Sequence, residues 1–186
     1  MNIGYCCICV GINEGRKKKD LISVNRGMVK KTFESKGLDY VSSLVIPNLI
    51  DTLTILDYNL KNNIYIYRLS SDSFPWMTHY EITSLPNFDK IQSLLTQIGD
   101  KIKSNNIRVS FHPGPYSVLA SENPDVVDRT VVDLNKHAQL MDLMGLDQTT
   151  YYPIKYILIL HNQQEKKHLR DFVKTSIFYQ ILVRKG

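Results

Sequence analysis

The stretch IRVSFHPGPYSVLASENPDVVDRTVVDLNKHAQLMDLMGL, residues 107–146, decides the fold. It opens on IRVSF at 107–111, a short apolar run of the kind that fills a buried strand. A turn follows, because Pro113 fixes one backbone dihedral and Gly114 admits the next. Residues 124–144 then carry the marks of a helix. Asn123 can accept hydrogen bonds from the first turn, Pro124 suits the first helical position, and Gly145 sits where a left-handed stop is wanted. Strand, loop and helix make one β/α unit.

The same order recurs on either side. IGYCCICV at 3–10, IYIYRLS at 64–70 and IKYILIL at 154–160 read as further buried strands. Between them, Leu44, Leu49, Leu53, Leu56 and Leu60 recur at helical intervals, with Pro47 placing the helix start near Asn48. Phe88, Ile91, Leu94, Leu95, Ile98 and Ile102 form a second apolar stripe over 87–103, with Asn87 as its expected cap. Strand then helix, four times over, predicts an α/β protein with a parallel sheet. The strand starts at 64, 107 and 154 lie 43 and 47 residues apart, which leaves long loops around each helix.

Composition agrees with a globular chain. Of 186 residues, 43% are apolar and 22% charged, which excludes disordered, collagen-like and coiled-coil classes. A chain of this length can build a core without disulfides or structural metals. The apolar run IGYCCICVGI at 3–12 is too short to span a bilayer and lacks the basic start of a signal peptide, so the expectation is a soluble intracellular protein. Cys6, Cys7 and Cys9 all fall in that run without a distant partner or a second pair to complete a zinc site. They read as small apolar fillers of a buried strand.

The net charge of +5 is unevenly spread. Residues 13–36 hold eight basic and three acidic side chains, and residues 165–186 hold six and two. The cluster Arg16, Lys17, Lys18 and Lys19 could attract a phosphate backbone or simply face solvent as a charged loop.

Histidine placement is more telling. His112 directly follows the strand at 107–111, His161 directly follows 154–160, and His79 lies in the loop after 64–70. In parallel α/β folds the C-terminal strand ends form the active face. Three histidines from three successive loops could therefore converge on a divalent metal, although each taken singly is more readily an ordinary surface or packed residue. His137, inside the 124–144 helix beside Leu134 and Leu140, reads as a packing residue, and His168 in EKKHLRDFVK as solvent-facing. Tyr116 projects from the turn after His112 and could stack on a nucleobase or pack under the loop. Tyr5 carries the same ambiguity.

Several strings in this order resemble the ultraviolet-damage DNA endonuclease family. They are IGY at 3–5, VNRGM at 24–28, the block at 38–76 ending in RLSSDSFPW, VSFHPGPYSVLAS at 109–121 and VVDLNKHAQLMDLMGL at 131–146. The resemblance covers roughly residues 1–152 and weakens over 153–186, where the fourth strand and a basic tail lie. It implies a TIM-barrel fold and metal-assisted cleavage of damaged double-stranded DNA on the 5′ side of ultraviolet photoproducts, with manganese the typical metal. By that resemblance His79 and His112 match two metal-binding histidines and His161 a third. Tyr116 matches a tyrosine inserted at the lesion, and Tyr5 a residue near the flipped nucleotides.

The departures are specific. Pro115 stands between HPG and Tyr116 where the family usually has glutamine, so no side-chain amide can probe the duplex there. Cys9 stands where an asparagine is frequent, and NQQEKK rather than glycines follows His161. Asp72, Glu81 and Glu122 are the nearest carboxylates to the histidines, few for a multi-metal phosphodiesterase; Asp72 could equally cap a turn. An eight-stranded barrel typically takes about 250 residues, and four strand–helix units are counted here. The expectation is therefore an incomplete barrel resembling the N-terminal half of the family. The alternatives are a catalytically inactive fragment that at most binds DNA or a partner, and another metal-using TIM-barrel enzyme such as a sugar isomerase relative.

Overall fold

The computed structural model describes residues 4–114, 116–119 and 121–146. The expected strand at 154–160, the tail after it, His161, His168 and Pro115 lie outside the described residues. Three β/α units occupy them: β1 (Tyr5–Cys6), α1 (Lys30–Lys61), β2 (Ile66–Ser70), α2 (Phe88–Ser104), β3 (Arg108–His112) and α3 (Pro124–Leu143). The strands form one parallel sheet in the order β1-β2-β3. Each strand thus lies beside its predecessor in sequence, joined by a crossover helix.

Alternation along the strands separates two faces. Tyr67 and Leu69 of β2 and Val109 of β3 are buried in the core, and Phe111 packs against it. Arg68, Ser110 and His112 therefore point to the opposite face, a polar one. From α1 the core receives Val41, Val45, Leu49, Ile55 and Leu56; from α2 it receives Ile91, Leu94, Leu95, Ile98 and Ile102, five of the six expected residues, with Phe88 packed at the margin.

Three local expectations are corrected. Helix α1 starts well before Pro47, which lies inside it. Proline deletes the bond to the Ser43 carbonyl, and Ser43 is exposed, so that carbonyl faces water rather than core. The bend lies instead at Gly37, whose φ of +60° breaks the helical run and leaves open space where a side chain would sit. Asn87 adopts a left-handed conformation (φ +59°) and its side chain caps nothing; its backbone carbonyl starts α2 by accepting from Lys90 and Ile91. In β1 only Tyr5 and Cys6 pair as strand, because Cys7 turns away at φ +56°. Of the three cysteines, Cys9 alone is buried.

Helix α3 follows its local code. Asn123 Oδ1 accepts from the Asp125 N–H at 3.0 Å with Pro124 next in line. Gly145 (φ +67°) closes the other end, donating to the Asp142 carbonyl while Leu146 donates to Met141, a Schellman stop.

Candidate active site

The last rung of the β2–β3 ladder pairs Ser70 with His112, and the rung before it but one pairs Arg68 with Ser110. His112 is thus the final residue of β3 rather than the first of its loop. Its Nδ1 is buried without a hydrogen-bond partner, and Nε of Arg68 is buried in the same condition. Arg68 spends one Nη2 proton on the Phe111 carbonyl at 3.3 Å. Burial, then the Arg68 guanidinium, holds the His112 imidazole below its ordinary pKa, and Asp72 opposes them weakly. His112 is neutral at physiological pH, the form that ligates metals.

Asp72 sits in a 3₁₀ turn, Ser71–Ser73, directly after β2. Ser70 Oγ accepts from the Asp72 N–H at 3.2 Å, and the Ser73 hydroxyl donates back to the Ser70 carbonyl. Asp72 is exposed and free to face a ligand, while its own backbone is capped by Ser70.

Beneath that turn lies a polar network that periodicity did not reveal. Asn48 of α1 is fully buried and donates from Nδ2 to the carbonyls of Ser73 (3.2 Å) and Arg26 (3.1 Å), while Oδ1 accepts from the Arg26 N–H at 3.1 Å. One turn on, Asp51 accepts from Arg26 Nη2 at 2.6 Å and from the Ser23 N–H at 2.8 Å. The segment around VNRGM and the RLSSD turn are thereby fastened to one helix. A polar pair among helical leucines was the available signal.

His79 ends a 3₁₀ turn, Met77–His79, and is exposed. Its ring meets Trp76 edge-on at 5.1 Å and Phe33 at 6.0 Å, and Nδ1 is hydrogen-bonded to Thr78 Oγ1 at 3.0 Å. Trp76, held in a left-handed backbone conformation, donates Nε1–H to the Met28 carbonyl at 3.0 Å. Lys136 of α3 reaches Glu81 at 2.9 Å and ties this loop down further. Among the described residues no group of three or more His, Cys, Asp or Glu side chains is placed to hold a metal. His112 and His79 lie in separate surroundings.

Tyr116 is 89% exposed, at the tip of the loop after β3. The loop behind it is fixed: Ser117 Oγ donates to Asp133 Oδ2 at 2.6 Å, and the Val118 N–H donates to Thr130 Oγ1 at 3.0 Å. Tyr116 is therefore an open ring on a rigid base. Tyr5 is placed otherwise. Its hydroxyl donates to Asn59 of α1 at 2.6 Å, its ring lies 5.1 Å from Tyr67, and burial raises its hydroxyl pKa well above normal. It faces the helices, away from His112.

His137 packs as expected. It is 1% exposed, its ring meets Phe111 edge-on at 5.0 Å, and Nδ1 donates to the Asp133 carbonyl at 2.8 Å. The loop between β1 and α1 carries Arg16, Lys17, Lys18 and Lys19, all exposed, on the side where the strands end. No helix among the described residues is long and apolar enough to cross a membrane.

Comparisons with known proteins point to one family. The sequence model of the family UV-endonuclease UvdE matches residues 1–177. The UV DNA damage endonuclease of Clostridium perfringens is 35% identical over 147 residues, covering 79% of this chain and 33% of that protein. The UV DNA damage endonuclease of Bacillus thuringiensis is 36% identical over 128 residues, covering 67% of this chain and 39% of that protein. The crystal structure of SacUVDE superposes with a TM-score of 0.69 at 27% identity, covering 97% of this chain and 56% of that one. The chain thus spans well under half the length of these curated relatives.

Proposed function

This chain belongs to the UV-endonuclease UvdE family, and we propose that it acts on ultraviolet-damaged DNA, nicking the strand on the 5′ side of a photoproduct by metal-assisted phosphodiester hydrolysis. The observation that carries the proposal is the polar edge at the strand ends, where Arg68, Asp72 and His112 stand together. A barrel-type (β/α) architecture is part of the same proposal, supported by the sequential parallel order of the three strands.

His112 fits a metal ligand, being neutral with a buried, unpartnered nitrogen. His79, with a ring nitrogen still open, and His161 complete the proposed set, and manganese is the proposed ion. A bound divalent cation would supply an activated water and neutralise phosphate oxygens. The remaining roles fall to the chain's own groups. Arg68 brings a positive charge to the strand edge beside His112, where it favours an approaching phosphate. Tyr116 offers a π-face to a base unstacked at the lesion, and a damaged base costs less to unstack than an intact pair. The basic run at 16–19 draws in the backbone on either side.

The test is a duplex carrying one photoproduct, offered to the purified chain with Mn²⁺ beside an undamaged duplex. Nicking confined to the damaged strand supports the proposal. Retention of the damaged duplex with no nick at high protein concentration replaces it with a DNA-binding role.

A further inference from the structure

Side chains of consecutive strand residues point to opposite faces, so Cys6 and Cys7 would hold their sulfurs apart if β1 continued. It does not. Cys7 adopts φ +56°, a conformation uncommon outside glycine and asparagine. It is held there by its N–H, which donates to the Arg68 carbonyl at 2.9 Å, and by its carbonyl, which accepts from the Tyr67 hydroxyl at 2.7 Å. The two sulfurs consequently lie 3.4 Å apart, both half-buried and within reach of small solutes. Cys9 is buried and stands apart from that contact.

We propose that Cys6 and Cys7 form a vicinal dithiol that a low-molecular-weight disulfide of the glutathione class oxidises to a Cys6–Cys7 bond. A covalent sulfur–sulfur bond measures about 2.0 Å, and closing it between neighbours makes an eight-membered ring that includes the peptide bond, so backbone and side chains adjust together. Burial, followed by contact with Cys6, pushes the Cys7 thiol up to about 12. In the proposed sequence Cys6 attacks first. Its thiolate displaces one thiolate from the disulfide and leaves a mixed disulfide on Cys6; the departing thiolate takes up a proton. Cys7 then loses its proton, attacks the Cys6 sulfur and expels the second thiol. Two protein thiols become one disulfide, and the oxidant becomes two thiols. Cys6 pairs with Arg68 in the β1–β2 ladder, two residues before the Ser70–His112 rung, so the new bond forms at the edge that carries His112. The inference stands whether or not the chain cleaves DNA.

The experiment treats the full chain with oxidised glutathione, quenches with acid and maps peptide 1–16 by mass spectrometry. The expected product is lighter by two hydrogens, carries no glutathione, and resists backbone fragmentation between Cys6 and Cys7. Cys9→Ser gives the same closed product, and Cys7→Ser stops at glutathionylated Cys6. Reduced wild-type protein also binds one phenylarsine oxide, which bridges two neighbouring thiols with loss of water. Stable glutathione adducts on wild type, an unmodified peptide, or a bridge that involves Cys9 would each overturn the proposal.

Discussion

Ser70 and His112 stand opposite one another as the last residues of adjacent parallel strands. That rung joins the two blocks most specific in the sequence, RLSSD and HPG, and sets Asp72 and the loop of Tyr116 on one edge of the sheet. Its consequences can be measured residue by residue.

Tyr116 is open to solvent on a loop pinned by Ser117 and Val118. Tyr116→Ala should leave the melting temperature unchanged. Stacking on a base is worth about 1–3 kcal/mol, so affinity for a photoproduct duplex should fall by that amount, with less change for undamaged duplex. Fluorescence anisotropy titrations on both duplexes check it.

Asn48 has the opposite profile. Asn48→Ala strips hydrogen bonds from the Arg26 N–H and from the Arg26 and Ser73 carbonyls. Each buried group left unpaired costs about 1–3 kcal/mol. The urea midpoint should drop, and Asn48→Asp should not restore it, because a carboxylate cannot donate to two carbonyls.

Gly99 marks the contact between α2 and the end of α3. A Cβ there would lie 1.8 Å from the Met144 carbonyl oxygen, which is backbone and cannot swing aside. Gly99→Ala should destabilise by about 1–3 kcal/mol as an overpacked site, against its usual effect of strengthening a helix. Thermal melts of the two proteins settle the sign.

Burial lowers the pKa of His137, with Asp133 opposing. The folded state therefore binds a proton there less readily than the unfolded state does. That contribution to stability is complete above the unfolded pKa of about 6.5 and is lost as pH falls through the lowered folded value. Stability measured from pH 7.5 down to 5 should decline, and His137→Gln should flatten the slope while lowering the plateau.

Much of this layout was legible because its causes are local. Asn123, Pro124 and Gly145 act within a turn of α3, and each does what its chemistry dictates. The stripe of α2 needed only its own period. Where a cause lay farther off, the sequence misled. Pro47 costs α1 one hydrogen bond and crowds the Ser43 carbonyl, and the helix runs through it because its burial against the rest of the chain, a tertiary matter, holds it together. The hydroxyl of Tyr5 donates to Asn59, fifty-four residues away, a contact no local window shows. Arg26, Asn48 and Asp51 come from two segments that no window joins. Positions were legible where topology alone sets them: His112 and Tyr116 stand at the strand edge, while the contacts of His79 with Trp76 and Phe33 join segments far apart in the chain.

The most direct test of the proposed endonuclease is a nicking assay on a 5′-labelled duplex with a single photoproduct and Mn²⁺, comparing wild type with His112→Ala. Wild type should give one labelled fragment ending on the 5′ side of the lesion, and His112→Ala should lose it while retaining DNA binding and melting temperature. Equal nicking by both proteins, or none by wild type, would contradict it.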